Sequence, residues 1–244
     1  LDQSLVDRGL FPSREKAKRA IMAGQVRVNG QPARKPSDSI HAADTLTRTE
    51  SERYVSRGGH KLEHALRRFS LEVSGLTAAD LGASTGGFTD CLLQHGAGRV
   101  YAVDVGQGQL AWKLRCDPRV TVLERTNARH LTPAHFPQPF QSLDLIVADC
   151  SFISLRRILP PAVALLRSGG RIVALIKPQF EAGKAEADRG QGVIKDPAVQ
   201  ARVVADLRHF AVVELGLVWQ GVTESPLPGP AGNKEFLMLL EKKD

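Results

Sequence analysis

Cysteine is scarce in this sequence of 244 residues. There are three, Cys91, Cys116 and Cys150, and none sits in the C-x-x-C spacing of a metal knuckle or redox motif. An odd, sparse count fits a reducing cytoplasm and argues against a disulfide framework. Long apolar runs are also missing. Nothing approaches the ~20 residues that cross a bilayer, and runs such as Arg171–Ile176 have the length of strands. The first residues, Leu1-Asp2-Gln3-Ser4, lack the basic region and apolar core of an export signal. Because the chain starts at Leu1 and not at methionine, a few residues are expected ahead of it. There is no internal repeat and no low-complexity tract. These absences lead us to expect a cytoplasmic protein with no membrane partner and no metal.

What is present is positive charge. The net charge is +7 and the pI about 9.6, which favours an anionic partner, nucleic acid or a membrane surface. The hydrophobic share of 42% is that of an ordinary globular chain. Residues 1–50 read as a compact basic unit. Ser13 is placed to cap a helix on which Ala17, Ala20 and Ile21 fall at i, i+3, i+4. Gly24 suits the helix end, Val26 and Val28 alternate as a strand, and Asn29-Gly30 is a hairpin turn signal. Arg14, Lys16, Lys18, Arg19, Arg27, Arg34 and Lys35 occupy the polar positions.

Residues 51–58, Ser51 to Gly58, are charged and aperiodic and read as a linker, continuous with Glu50. A helix should follow, with Leu62, Leu66 and Phe69 on one face. From Leu76 the pattern alternates between strands and helices. Strands are expected at Thr77–Leu81, Arg99–Val103, Val120–Leu123, Leu143–Ala148, Arg171–Ile176, Phe210–Leu217 and Glu235–Leu240. Helices are expected at Phe88–His95, Leu155–Leu166 and Ala198–His209, and a loop from Val218 to Lys234. The earlier strands are nearly continuous apolar runs, as strands covered on both faces should be. The fold class is therefore α/β, a Rossmann-like, doubly wound sheet of seven strands. It should be mostly parallel, with an antiparallel last strand, and should be preceded by a small α+β unit.

The first of these strands runs into Asp80-Leu81-Gly82-Ala83-Ser84-Thr85-Gly86-Gly87-Phe88-Thr89. Glycines at a strand-to-helix turn allow a ligand close to the backbone. The spacing is neither G-x-G-x-x-G nor a phosphate loop ending in G-K-[ST], which disfavours a dinucleotide or a nucleoside triphosphate. Asp104 ends the next strand, about 20 residues on, where a carboxylate binds ribose hydroxyls. Adenosine with a small amino-acid tail fits this pattern better than a pyrophosphate.

Asp149-Cys150-Ser151-Phe152 and Lys177-Pro178-Gln179-Phe180 follow two further strands, and Asn233-Lys234-Glu235-Phe236 opens the last. Ligands of open α/β sheets sit at the carboxyl ends of parallel strands. A reversed last strand would bring Glu235 to the same edge, and Lys61 can reach it from the preceding helix. With these residues in view, the C-terminal part resembles the FtsJ-like ribose methyltransferases, which carry a Lys-Asp-Lys-Glu tetrad. The whole chain resembles the TlyA, or hemolysin A, family, in which an S4-type RNA-binding domain precedes that fold. Ser84-Thr85 stands where the FtsJ type has Ala-Pro, with the glycines retained.

The resemblance implies an S4 domain over 1–50 and a methyltransferase domain over 59–244. It implies S-adenosylmethionine as cofactor and a ribose 2′-hydroxyl of ribosomal RNA, free or in a subunit, as substrate, a cytidine in 16S or 23S rRNA. It makes Lys61, Asp149, Lys177 and Glu235 the catalytic set. Cofactor contacts would be Asp80, Gly82, Ala83, Ser84, Thr85, Gly86, Gly87, Phe88, Asp104, Asn127 and Asp149. RNA contacts would be Arg14, Lys16, Lys18, Arg19, Arg27 and Lys35.

The chemistry suits these residue types. A ribose hydroxyl must lose a proton as it attacks a sulfonium methyl, and a lysine serves as base when burial or a second cation favours its neutral form. Lys177 is assigned as base, Lys61 to positioning and charge stabilisation, and the two acids to orientation. Cys150 offers a rival, nucleophilic chemistry on pyrimidine C5, but it lacks a Pro-Cys pair and reads better as a small buried side chain. Amino-group methylation would call for [DN]-P-P-[FYW] in place of Asp149-Cys150-Ser151-Phe152. A non-catalytic RNA-binding regulator and a pore-forming hemolysin remain the alternatives from other classes.

Overall fold

The computed structural model describes residues 1–48, 52–183, 186, 190–229 and 231–243. Glu50 and Ser51, where the first boundary was expected, lie outside the described residues. The chain forms two compact units, Leu1–Arg53 and Tyr54–Asp244.

The first unit contains α1 (Asp2–Asp7), α2 (Arg14–Met22) and the short strands β1 (Val26–Val28), β2 (Gln31–Pro32) and β3 (Leu46–Arg48). Ser13 caps α2 by accepting from the Lys16 N–H at 3.3 Å. The apolar face of α2, Ala17, Ala20 and Ile21, packs with Leu5, Phe11 and Val26 in a small core. Asn29 and Gly30 both take positive φ, 51° and 79°. That is the backbone a two-residue hairpin needs to match strand twist, and it joins β1 to β2.

The second unit opens with α3 (Gly58–Arg68) and then builds a seven-stranded sheet. Its strands are β4 (Thr77–Leu81), β5 (Arg99–Val103), β6 (Val120–Leu123), β7 (Leu143–Ala148), β8 (Leu166–Ile176), β9 (Val218–Glu224) and β10 (Phe236–Glu241), in spatial order β6-β5-β4-β7-β8-β10-β9. The pairs from β6 across to β8 are parallel. The last strand in sequence, β10, runs antiparallel to both neighbours. Successive residues of a strand point to opposite faces, and the core follows that rule. Leu81, Val103, Ile146 and Ala174 belong to one cluster, whereas Ala78, Val100, Leu145 and Val173 belong to the other.

Two expectations are corrected. The strand expected at Phe210–Leu217 is helical. After α4 (Gly87–Gln94), α5 (Trp112–Arg115), α6 (Leu159–Leu165) and α7 (Pro178–Glu181), the helix α8 (Pro197–His209) runs on into a π turn at Phe210–Glu214. Val203, Leu207, Phe210 and Ala211 bury one helical face, while Val213 is exposed. Gly216, at φ 67°, then frees the chain to enter β9 inside the expected loop. The expected linker is also not free-standing at its end. Tyr54 is buried in the second unit, and the Val55 N–H donates to Asp90 at 2.8 Å. A Cβ on Gly59 would strike the Tyr54 ring, so the aperiodic residues pack by fitting an aromatic ring against a glycine.

Candidate active site

The sheet register gathers the four catalytic candidates. Phe236 of β10 pairs with Ile176 of β8, which sets Glu235 and Lys177 one step beyond, at the same sheet edge. Asp149 follows Ala148, the last residue of β7, and its N–H is held by the Leu81 carbonyl at 3.0 Å. Lys61 comes from α3, which reaches this edge because it packs closely on α4 (Gly87–Gln94). A Cβ on Gly87 would lie 2.9 Å from the Gly59 nitrogen, so glycine is required there.

The four residues form two separate ion pairs. Lys61 Nζ donates to Glu235 Oε2 at 2.5 Å. Lys177 Nζ lies 2.6 Å from Asp149 Oδ1 and donates to Ser151 Oγ at 2.7 Å. Lys61, Lys177 and Glu235 are all buried, Glu235 at 1% exposure. Glu235 Oε1 has no hydrogen-bond partner among the described residues. Surface ion pairs contribute little and are common. Buried lysines are rare and need a partner, so two such pairs at one edge are not incidental surface charge.

Beside them lies a cleft of about 1280 Å³ at the carboxyl ends of the parallel strands. Of the expected cofactor residues, Gly82, Ser84, Asp104, Asn127 and Asp149 line it. Gly82 has φ 83°, and a Cβ there would approach the Asp149 carbonyl oxygen to 2.9 Å. Asp104 accepts from the Ser84 N–H at 2.8 Å and the Gly106 N–H at 2.7 Å. Each carboxylate oxygen keeps acceptor capacity towards the cleft.

The other expected cofactor residues do not line the cleft. Ala83 and Phe88 are buried, Phe88 in the core beside α3. Thr85 accepts the Ala111 N–H through its carbonyl. Gly86 lies against Leu110 and Leu114, and Gly87 against α3. Asp80 is fully buried and accepts from the Thr89 N–H and hydroxyl at 2.9 and 2.7 Å. Burial, reinforced by the charges of Asp149 and Asp104, pushes its carboxyl up to about 7. Here Asp80 pins the start of α4. Asp80, Ala83, Gly86, Gly87 and Phe88 are buried behind the turn, whereas Thr85 is exposed.

Sequence reasoning missed several cleft residues, among them Gln109, Thr126, Arg129, Ser151 and Arg157. It also missed that Phe152, 90% exposed, meets Phe180 with ring centroids 5.1 Å apart. Both phenylalanines stood in the quoted motifs, but no spacing signals a contact between two different strand ends. Cys150 lines the cleft with its Sγ directed to the Leu81 carbonyl at 3.4 Å. Burial and the Asp149 charge push its thiol up to about 12, which opposes a thiolate nucleophile.

In the first unit the basic candidates divide by partner. Arg14 pairs with the buried Asp2 at 3.1 Å, with Lys18 at 3.8 Å from the same oxygen. Arg19 pairs with Glu15, and Arg27 donates to the Gly30 carbonyl at 2.9 Å. Lys16 and Lys35 are exposed, with no side-chain ion pair among the described residues. No cluster of metal-ligating residues occurs among the described residues.

Comparison with known proteins matches the FtsJ-like methyltransferase family over residues 54–242 and the S4 domain over residues 1–46. A Mycobacterium tuberculosis protein named 16S/23S rRNA (cytidine-2'-O)-methyltransferase TlyA is 51% identical over 242 residues, 98% of this chain and 88% of its own. Hemolysin A of Brachyspira hyodysenteriae is 40% identical over 237 residues, 97% of each chain. A solved Streptococcus thermophilus structure, provisionally named a hemolysin, matches with a TM-score of 0.77 at 45% identity. It covers 100% of this chain, which spans 88% of that one.

Proposed function

The chain belongs to the FtsJ-like methyltransferase family, with an S4 domain ahead of the catalytic unit, and from that premise we propose that it methylates a ribose 2′-hydroxyl of ribosomal RNA. In this reading the nucleotide is a cytidine, as in the name of the TlyA relative, and action on ribosomal RNA would place the protein in the cytoplasm. The methyl donor in this reading is S-adenosylmethionine. The cleft suits it: Asp104 offers a carboxylate for ribose hydroxyls, Asn127 an amide for a purine edge, and Gly82 close backbone approach for an amino-acid tail. When bound, the cofactor supplies a methyl group already activated by a positive sulfur.

The chain must then orient the hydroxyl and take its proton. Lys177, as the neutral amine, accepts that proton as the ribose oxygen attacks. Asp149 holds the Lys177 nitrogen and balances the ammonium that forms. The Lys61–Glu235 pair stands at the same sheet edge as Lys177, closed in by burial, where its charges act on the orientation of the site. The S4 unit contributes phosphate contacts, which set register on a structured RNA without reading bases.

The observation that carries this reading is the pair of buried lysine–carboxylate contacts at one sheet edge beside the cleft. Lys177→Ala should lower methyl transfer to unmodified ribosomal subunits by at least about 10²-fold, the scale of general base catalysis, with calorimetric binding of S-adenosylmethionine nearly unchanged. Retained turnover would remove Lys177 from its role. Mapping ribose methylation with and without the protein would identify the nucleotide.

A further inference from the structure

We propose that Ser151 acts through Lys177 by carrying its proton to solvent between turnovers. The inference rests on the reading of Lys177 as the base.

Each turnover leaves one proton on the Lys177 nitrogen, and the base must lose it before it can act again. Lys177 is 8% exposed, so its own route to water is narrow. Its nitrogen faces two oxygens, Asp149 Oδ1 at 2.6 Å and Ser151 Oγ at 2.7 Å. Asp149 also lines the cleft, but a proton passed to it would discharge the carboxylate that balances the ammonium. The Ser151 hydroxyl accepts from Lys177, retains a proton to donate, and belongs to an exposed residue that lines the cleft. In the relay an N–H bond of Lys177 breaks as an O–H bond forms on Ser151. The original Ser151 O–H breaks in turn and passes its proton to water. One proton leaves, and the amine and the hydroxyl are both regenerated.

The loop carrying Ser151 is held at both ends. Before it, the backbone of Asp149 is tied to Leu81. After it, Glu181 accepts from the Ser154 hydroxyl at 2.6 Å and the Leu155 N–H at 2.7 Å. Glu181 lies in α7 (Pro178–Glu181), which begins directly after Lys177. The short element that follows Lys177 thus anchors the far end of the loop that carries Ser151. Cys150, between Asp149 and Ser151, offers no parallel route, because its thiol is directed to the Leu81 carbonyl.

The test compares first-turnover and steady-state methylation of unmodified ribosomal subunits by the full chain. Ser151→Ala should leave the first turnover within about threefold and lower the steady-state rate by at least about tenfold, a modest share of a proton-transfer effect. Imidazole added as a proton carrier should restore the steady-state rate, and Ser151→Thr, which keeps the hydroxyl, should behave like the unmodified protein. An unchanged steady-state rate in Ser151→Ala would overturn the proposal. So would an equal fall in both phases without imidazole rescue, which would mark a purely structural role. Should Ser151→Ala not fold, Ser151→Gly, which also lacks the hydroxyl, must show the same split. Lys177→Ala is run in parallel. Turnover by Lys177→Ala defeats the base assignment itself, whereas an inactive Lys177→Ala beside a normal Ser151→Ala defeats only the relay.

Discussion

Replacing Lys61 with methionine removes one charge from the more enclosed of the two pairs. Glu235 is 1% exposed and Lys61 8%, and their contact is 2.5 Å. Without the ammonium, Glu235 would be a carboxylate in the sheet edge with neither water nor a partner. Breaking a buried pair from one side costs about 3–5 kcal/mol, mostly the penalty of the stranded charge. At roughly 2–4 °C per kcal/mol for a domain of this size, Lys61→Met should lower Tm by roughly 6–20 °C. The double variant Lys61→Met/Glu235→Met strands nothing and fills a similar volume. It should recover most of that loss, since apolar replacement of a whole buried pair is often neutral or stabilising. Urea denaturation of the unmodified protein, Lys61→Met, Glu235→Met and the double variant gives the coupling energy directly. Arg171 and Glu241, 3.4 Å apart with side chains 44% and 30% exposed, serve as a surface control that should couple by no more than about 1 kcal/mol. Additive losses at Lys61 and Glu235 would refute the pairing. Methyl transfer should be lost in the single and double variants alike, so that stability returns without activity.

Two further outcomes follow from the charges. Asp80 ionises near 3.8 when unfolded and near 7 when folded. Between those values the folded protein keeps a proton that the unfolded chain has lost, so stability falls as pH rises, by about 1.4 kcal/mol per pH unit from this group. Asp80→Asn should remove that slope in urea titrations at pH 5 and pH 7, and an unchanged slope would sink the burial argument. In RNA binding, Lys16→Ala and Lys35→Ala should each reduce the log–log salt slope by about 0.7–0.9. Arg14→Ala should change it less, because Asp2 already neutralises Arg14. Filter binding to an rRNA fragment across 50–200 mM salt, the range over which phosphate contacts show most clearly, decides this, and equal slopes for all three would contradict the division.

Legibility in the sequence followed burial. Strands β4 to β7 were legible because strands covered by helices read as nearly continuous apolar runs, interrupted only by Asp80, Thr121 and Asp144. Phe210–Leu217 failed for the same reason. Phe-Ala-Val-Val-Glu-Leu-Gly-Leu satisfies a buried strand as well as a helix end, and periodicity cannot separate the two in so short a run. What decided it was tertiary: Phe210 and Ala211 continue the buried face of α8 that Val203 and Leu207 begin. The linker misled in the opposite way, since Tyr54 packs by fit against Gly59, which no hydrophobic period announces.

The catalytic candidates were legible one by one, because each stands at the end of an element. How they associate was not. Lys61 and Glu235 are 174 positions apart, and their meeting depends on α3 packing on α4 and on the antiparallel register of β10. That association decides what each lysine can do. Lys61 is closed in by a carboxylate with 1% exposure and has no other hydrogen-bond partner among the described residues. Lys177 meets both a partly exposed carboxylate and a serine hydroxyl at the cleft. A group that must take up and release a proton in every cycle needs the second environment. The pairing therefore supports Lys177 over Lys61 as the base, a distinction that two identical side chains could not show in the sequence alone.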